Sequence, residues 1–153
     1  FLPGVVLYSG ARLSDIAIAD FAADGSDDIA FTGYGIDARV GVWWSDAGSF
    51  SAAETVVAGS AGALAAADLD GDASPDLAWV AGDEVWVARR DTANAHGFRT
   101  PVRAGGGENL SCLAAVDLDA DGRTDLVLGS RETPDFGAPG ELLTLRNTSG
   151  EAD

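Results

Sequence analysis

The sequence predicts an all-β protein in which three repeats, spaced 48 or 49 residues apart, each contribute four antiparallel strands. Its apolar runs are short, rich in Val, Ile, Leu and Trp, and bounded by Gly, Asp and Ser, which is typical of strands. An acidic ten-residue pattern recurs with starts at residues 20, 68 and 117, and such a period indicates a repeat architecture. No stretch keeps a helical apolar period beyond two turns. Short connections between the strands therefore favour antiparallel pairing.

A phenylalanine opens each repeat and fixes the boundaries of the units. The acidic pattern starts 18 or 19 residues after Phe1, Phe50 and Phe98. The predicted units of this single domain are therefore residues 1–49, 50–97 and 98–153. In the first unit we expect strands at residues 5–8, 15–21, 28–32 and 39–44.

Repeated four-stranded units of this length favour the blades of a β-propeller over a sandwich. The runs at residues 64–67 and 126–128 are apolar on both faces, as expected for sheets with a neighbour on each side. Closed propellers carry about four to eight blades, so three blades predict a half-propeller. The first expected strand, 5–8, is of the fourth type in a blade, and the last, 141–146, is of the third type. Two chains that exchange a strand head to tail would form a six-bladed ring, so we expect a homodimer or part of a longer propeller chain.

The acidic pattern places carboxylates at positions 1, 3, 5 and 9 of a tight loop. Calcium takes six to eight oxygen ligands, and alternating aspartates on a turn supply them. We call residues 20–29, 68–77 and 117–126 loop one, loop two and loop three. In loop two the predicted ligands are Asp68, Asp70, Asp72, Asp76 and the carbonyl of Ser74. In loop three they are Asp117, Asp119, Asp121, Asp125 and the carbonyl of Arg123.

Loop one is a degenerate copy. It keeps Asp20, Asp24 and Asp28, with Ser26 at the carbonyl position, but Ala22 replaces the third-position aspartate. We therefore predict two strong calcium sites and a third that is weak or absent. Gly122 permits a turn with positive φ, whereas Ala73 stands at the same position of loop two and is expected to be strained there.

Loops two and three, DLDGDASPDL and DLDADGRTDL, and their flanking strands resemble the FG-GAP/VCBS repeats of integrin α-subunit propellers and of many secreted bacterial and fungal proteins. The segment Phe136-Gly137-Ala138-Pro139 echoes the family's name, and the resemblance covers all three units. It implies that each acidic loop joins the first two strands of a blade and holds calcium. It also implies a secreted, extracellular recognition module. Lectin-like glycan binding is the first expectation; a protein-interaction or adhesion module and a structural appendage of a larger secreted enzyme are the alternatives.

In a propeller, the connections between the second and third strands of each blade lie opposite the calcium loops. They differ most between the repeats, and divergent loops on a rigid scaffold usually carry recognition. The candidate ligand contacts are Tyr34, Asp37, Arg39, Arg131, Asp135 and Phe136. Trp43 and Trp86 are expected at matching positions of the third strand, and Trp79 is expected to align with Phe31 and Leu128 in the core between blades.

Charge and motifs disfavour several function classes. The net charge is −16 and every basic residue is arginine, so nucleic acid and anionic membrane surfaces are unsuited as partners. No apolar run is long enough to cross a membrane. His96 is the only histidine, and nucleophile-elbow, P-loop and zinc-protease motifs are absent, so we do not expect an enzyme. Cys112, the only cysteine, lies in an apolar run and is expected to be buried.

Overall fold

The computed structural model describes Val6 and residues 12–46, 49–132 and 139–148. Within these residues every regular element is a β-strand. In chain order the strands are β1 (Arg12–Ala19), β2 (Asp28–Tyr34), β3 (Arg39–Trp43), β4 (Ser45–Asp46), β5 (Ser49–Phe50), β6 (Glu54–Ala58), β7 (Leu64–Ala67), β8 (Asp76–Ala81), β9 (Glu84–Ala88), β10 (Arg90–Asp91), β11 (Gly97–Phe98), β12 (Val102–Gly106), β13 (Leu110–Val116), β14 (Asp125–Ser130) and β15 (Leu142–Leu145). The described part of the chain holds no helix of the length and hydrophobicity that a membrane span requires.

The strands form three antiparallel sheets and two short hairpins. Sheet 1 has the order β1-β2-β3-β6, sheet 2 the order β7-β8-β9-β12, and sheet 3 the order β13-β14-β15. The hairpins β4-β5 and β10-β11 lie between the third and fourth strands of sheets 1 and 2. The fourth strand of each of these sheets comes from the start of the next sequence unit. The all-β prediction and the antiparallel pairing are confirmed.

The strand bounds differ slightly from the sequence-based prediction. The strands predicted at residues 15–21, 28–32 and 39–44 correspond to β1, β2 and β3, and the strand predicted at 141–146 corresponds to β15. β1 ends at Ala19 because the following Asp20 already accepts hydrogen bonds from the backbone of loop one. The strand predicted at residues 5–8 lies outside the described residues, apart from the exposed Val6.

The core consists of two apolar layers, one on each face of sheet 2. The layer between sheets 1 and 2 includes Val42, Leu64 and Trp79, which are all buried. The layer between sheets 2 and 3 includes Val85 and Leu128. Burial of these layers is the main stabilising contribution, at about 25 cal/mol per Å² of apolar surface. The prediction that residues 64–67 are packed on both faces is confirmed.

The tryptophan register corrects one prediction. Trp79, Phe31 and Leu128 are buried, as expected. However, Trp86 pairs with Trp79, whereas Trp43 pairs with Ile29, so the two tryptophans are not at matching positions of the third strand. A shared residue type had suggested an alignment that the strand register does not support.

The prediction that Cys112 is buried is wrong, since its side chain is exposed. Along β13, Leu113 and Ala115 contact sheet 2, and Cys112 lies on the opposite face with Val116. Among the described residues, nothing covers the apolar side chains on that outer face, which include Val116 and Leu142. The outer face of sheet 1 likewise exposes Ile16 and Ile18.

Candidate metal centres and ligand cavity

Each acidic loop is folded by its own aspartates. The first-position carboxylate accepts backbone N–H groups from the far side of the loop. Asp20 accepts from Asp24 at 3.0 Å and Gly25 at 2.8 Å, and Asp117 accepts from Asp121 at 3.2 Å and Gly122 at 2.9 Å. Asp68 accepts from Gly71 at 2.7 Å and Ala73 at 2.9 Å. These bonds close the chain into a tight loop around one carboxylate.

The fifth-position aspartate makes a second turn inside each loop. Its Oδ1 accepts the N–H of the residue two positions later, an Asx turn that replaces a backbone turn. The three bonds are Ser26 to Asp24 at 2.9 Å, Ser74 to Asp72 at 2.8 Å, and Arg123 to Asp121 at 2.8 Å. The residues predicted to offer carbonyl ligands are thus held in position by their own N–H groups.

The ninth-position aspartate joins the loop to the end of the third strand. In loop two, one oxygen of Asp76 accepts the N–H of Leu69 at 3.0 Å and the other accepts the N–H of Arg90 at 2.7 Å. The same bridge is repeated in the other two loops, from Phe21 through Asp28 to Ser45 and from Leu118 through Asp125 to Asn147. All three carboxylates are buried. They are structural links as well as candidate metal ligands.

Two positions in every loop adopt positive φ. At the sixth position these are Gly25, Ala73 and Gly122, with φ of 88°, 66° and 83°. At the fourth position they are Ala23, Gly71 and Ala120, with φ of 55°, 82° and 61°. Each loop therefore carries one glycine and one alanine in the left-handed region, where alanine is strained. The expected strain at Ala73 is confirmed, and the fourth position is a further site of the same kind.

In loops two and three, three carboxylates converge closely enough to share one cation. Oxygens of Asp68, Asp70 and Asp76 lie within 4.8 Å of one another. Oxygens of Asp117, Asp119 and Asp121 do so in loop three. These groups differ from the predicted sets, since Asp72 and Asp125 are not members. Loop one, where Ala22 replaces an aspartate, forms no such group among the described residues.

Loop two has the chemistry of a hard-cation site. Its converging ligands are all carboxylate oxygens, which suit calcium or magnesium. The Oδ1 atom of Asp70 is buried and has no hydrogen-bond partner among the described residues. A buried carboxylate oxygen without a partner is costly unless a cation binds it. The donor set of loop two therefore fits a divalent cation.

The two complete loops differ in electrostatics. Burial, followed by the nearby charges of Asp70 and Asp72, raises the pKa of Asp76 to about 6 despite two backbone hydrogen bonds that oppose the shift. At the matching position, the hydrogen bond from Asn147 lowers the pKa of Asp125, and the charges of Arg146 and Arg123 act in the same direction. The charged groups that shift the pKa of Asp76 in loop two are aspartates, whereas those that shift the pKa of Asp125 in loop three are arginines.

Three arginines contact these loops. Arg89 Nε lies 3.7 Å from Asp70 Oδ2 in loop two. In loop three, Arg146 Nη1 forms an ion pair with Asp119 and lies 3.5 Å from Asp125 Oδ2. Arg123 pairs with Asp121 at 2.5 Å and donates to the carbonyl of Asn147 at 2.8 Å.

Neighbouring loops are also tied across the sheets. Arg90 is the first residue of β10 and lies two residues after the third strand of sheet 2. It donates from Nε to the Phe21 carbonyl in loop one at 2.6 Å. Asn147, at the matching position of sheet 3, donates from Nδ2 to the Leu69 carbonyl in loop two at 2.9 Å. Phe21 and Leu69 are both second-position residues, so the two bonds repeat one connection.

A cavity of about 680 Å³ lies at the opposite end of the sheets from the acidic loops. All three sheets contribute to it, because its lining comes from the starts of β1 and β13, the segment before β7, and the ends of β2 and β14. Its polar and charged lining residues are Ser14, Asp15, Tyr34, Asn109, Ser111, Arg131 and Glu132. Asp15 Oδ2 accepts the N–H of Leu64 at 3.0 Å, which fixes the cavity wall between sheets 1 and 2.

Two of the six predicted ligand contacts, Tyr34 and Arg131, line this cavity. Asp37 is exposed on the turn between β2 and β3 and does not line it. Arg39 lies over the Phe31 ring at 5.6 Å, on the sheet rather than in the cavity. Asp135 and Phe136 fall outside the described residues.

Sequence reasoning missed Arg89, Arg146, Asp15 and Glu132. The two arginines follow the ninth-position aspartates Asp76 and Asp125 at unequal distances, since the connection between β14 and β15 is longer than that between β8 and β9. Only the strand register shows that they match. Asp15 and Glu132 belong to no recognisable sequence motif, and the cavity that they line depends on how the sheets pack.

A protein-family model described as an FG-GAP-like repeat matches the chain twice, over residues 20–79 and 68–128. Each match begins at the first aspartate of an acidic loop and ends in the second strand of the following sheet. A search of curated proteins found no matching relative. The two family matches extend over more than half of the chain and confirm the resemblance of the loop segments. The chain therefore belongs to the FG-GAP-like repeat family.

Proposed function

We propose that this chain is a calcium-stabilised, non-enzymatic recognition module in which the three sheets are blades of a β-propeller. The observation that carries the proposal is the convergence of three carboxylates in each of loops two and three, with a buried, unpartnered oxygen on Asp70. Membership of a family whose repeats are associated with calcium and with propeller-like interaction modules supports it.

The cation would be structural. Side chains of Asp68, Asp70 and Asp76 would hold it in loop two, and side chains of Asp117, Asp119 and Asp121 would hold it in loop three. When bound, calcium supplies positive charge that offsets the repulsion between these carboxylates. That repulsion is about 4 kcal/mol for two charges 4 Å apart at an effective dielectric constant of 20. We also propose an extracellular location, where structural calcium modules bind the ion with dissociation constants of about 10⁻⁴–10⁻³ M.

Melting curves in calcium and in EDTA test whether calcium stabilises the folded protein. We expect calcium to raise the melting temperature of the unsubstituted protein, by linkage, and titration calorimetry to show about two sites. The double variant Asp70→Asn/Asp121→Asn should lose most of that rise, because each asparagine keeps the shape of the side chain but removes a charge from a proposed ligand set. The control Asp46→Asn/Glu108→Gln removes two exposed charges outside the loops and should retain the rise. Equal melting curves of the unsubstituted protein with and without calcium would refute the role.

The cavity is the proposed recognition site. It combines the half-exposed ring of Tyr34 with hydrogen-bonding groups from Asn109, Ser111, Arg131 and Glu132. An aromatic ring bordered by polar side chains suits a sugar, so a glycan is the first ligand class to test. The interaction role associated with the family makes a protein ligand the second candidate.

A glycan array probed with and without EDTA tests the ligand class. Binding should depend on calcium and should fall at least tenfold in Arg131→Ala, while Arg99→Ala, an exposed arginine outside the cavity, should bind normally. If Arg131→Ala binds the same glycans as strongly, the cavity is not the site. If no glycan binds at all, the protein-ligand candidate takes precedence.

We further propose that the outer faces of sheets 1 and 3 are covered by a second copy of this chain. Inside the chain, sheets 1 and 2 pack face to face and sheets 2 and 3 repeat the arrangement. The outer face of sheet 3, with Val116 and Leu142, would continue that packing against the outer face of sheet 1 of the partner, with Ile16 and Ile18. Such a contact is heterologous and would close after one rotation.

A further inference from the structure

Strand register identifies one matching position next to each acidic loop. In sheet 2, Leu77, the residue after the ninth-position aspartate, pairs with Ala88 at the end of β9, and Arg89 follows directly after that strand. In sheet 3, Leu126 pairs with Leu145, so Arg146 has the same place after β15. In sheet 1, Ile29 pairs with Trp43, and Trp44 is the matching residue.

The residue at this position varies together with the third position of the facing loop. Arg89 faces Asp70, and Arg146 pairs with Asp119. In sheet 1 both partners are apolar: Ala22 replaces the aspartate and the buried Trp44 replaces the arginine. Three repeats of one chain thus carry two acid–arginine pairs and one apolar pair, which indicates that the third-position aspartate and this residue act together.

The two arginines engage their loops to different degrees. Arg89 Nε is 3.7 Å from Asp70 and has no hydrogen-bond partner among the described residues. Arg146 Nη1 forms the ion pair with Asp119 and also lies 3.5 Å from the buried Asp125. Arg146 therefore already faces two of the four carboxylates of loop three, and Arg123 faces a third, Asp121.

We propose that Arg146 is a built-in counter-cation of loop three that competes with calcium for the carboxylate of Asp119 and is also attracted by the charge of Asp125. The inference rests on the proposed calcium function. A guanidinium on Asp119 Oδ2 offsets the negative charge that would attract calcium, so Arg146 would compete with the ion for this carboxylate. The Arg146 side chain is 47% exposed, so water can solvate it once it is released. Loop three is consequently the weaker of the two complete sites, and loop two is loaded first.

The same contact stabilises the calcium-free fold. Without Arg146, the carboxylates of loop three would repel one another with only Arg123 to offset them. Arg146 therefore lowers the calcium affinity of loop three and stabilises the metal-free loop. A purely structural arginine would support both states, so the two effects of its removal have opposite signs and can be separated.

The test is calcium titration of Arg146→Gln by calorimetry in an Asp70→Asn background, where the loss of a proposed ligand weakens loop two and leaves the loop-three site resolved. Breaking a partly exposed ion pair predicts a rise of roughly twofold to fivefold in the calcium association constant of loop three. In EDTA the same substitution should lower the melting temperature. Arg103→Gln is the matched control, because Arg103 forms a 2.8 Å ion pair with Glu84 in sheet 2, away from the loops.

The other possible results separate a failure of the competition by Arg146 from a failure of the proposed calcium function. An unchanged or reduced association constant for loop three in Arg146→Gln overturns the proposal while leaving calcium binding intact. An unsubstituted protein that binds no calcium refutes the proposed function itself. In an Asp121→Asn background, Arg146→Gln should leave the remaining loop-two constant unchanged, and a change there would contradict local competition. If Arg146→Gln does not fold in EDTA, Arg146→Lys, which keeps the charge but loses the planar fork, should show an intermediate rise, and no rise would refute the proposal.

Discussion

Arg90 Nε donates a hydrogen bond of 2.6 Å to the backbone carbonyl oxygen of Phe21, which ties sheet 2 to the acidic loop of sheet 1. The Arg90 guanidinium also donates to the carbonyls of Asp91 at 2.8 Å, Asn94 at 2.7 Å and Ala95 at 2.6 Å, and to that of Gly97. It is buried, and its described hydrogen-bond acceptors are all backbone carbonyls. One side chain therefore organises the whole turn between β10 and β11.

Replacing Arg90 by methionine should strongly destabilise the protein. The substitution keeps an apolar stem but leaves one buried and four partly buried carbonyls without this donor, at about 3 kcal/mol or more in total. A loss of that size corresponds to a fall of roughly 6 °C or more in melting temperature. Thermal unfolding measures it, and the exposed Arg99→Met is the control. A fall of under 2 °C for Arg90→Met would contradict the assigned role.

The alternating glycines and alanines of the loops give a second prediction. Gly122→Ala should lower the free energy of unfolding by about 1 kcal/mol, since alanine at φ of 83° is strained although no atom blocks its Cβ. Ala73→Gly should raise it by about 0.5 kcal/mol, because relief of strain exceeds the added entropy of the unfolded chain. Urea unfolding in saturating calcium checks both signs. A loss of stability in Ala73→Gly would show that strain at this position is negligible.

Protonation of Asp76 gives a third prediction, for calcium-free protein. Its folded-state pKa of about 6 lies above the ordinary value of 3.8, so the folded state binds the proton more tightly than the unfolded state does. Asp76 therefore costs stability above pH 6, about 3 kcal/mol at most, and this cost is removed as the pH falls from 6 towards 4. Asp125 has the opposite sign, because its pKa is lowered: it contributes stability that is lost only below pH 3.8.

Urea unfolding in EDTA between pH 7.5 and 5 measures the effect of Asp76. We expect the free energy of unfolding to rise as the pH is lowered. In saturating calcium the rise should disappear, because a bound cation favours the ionised carboxylate. A carbon-13 titration of the Asp76 carboxyl group in EDTA gives the pKa directly. A value below 4 would contradict the prediction.

The sequence predicted the repeat, the strands and the acidic loops because each depends on local chemistry. Alternating aspartates at fixed spacing form closely similar hydrogen bonds in all three loops, so residues such as Asp20, Asp68 and Asp117 could be assigned from the pattern alone. The strain at Ala73 was likewise readable from its alignment with Gly122.

The rest depended on the register and packing of the sheets. Trp43 was aligned with Trp86 by residue type, but backbone pairing places Trp43 opposite Ile29. Cys112 stands in an apolar run, yet every second residue of β13 faces away from sheet 2. The contact between Arg146 and Asp119 joins residues that no motif connects. Such relationships appear only when strands are paired and sheets are stacked.

Assembly gives the last prediction. The outer faces of sheets 1 and 3 expose Ile16 at 55%, Ile18 at 60% and Leu142 at 77%. Large exposed apolar groups on a sheet face favour association, because covering them removes apolar surface from water. Light scattering at micromolar concentration should therefore give the mass of a dimer. Ile18→Asp should convert it to monomer, whereas Ile36→Asp, which places the same charge on the exposed turn between β2 and β3, should not. A folded monomer in the unsubstituted protein would exclude the dimer. A dimer that survives Ile18→Asp would show that the contact does not involve the face of sheet 1.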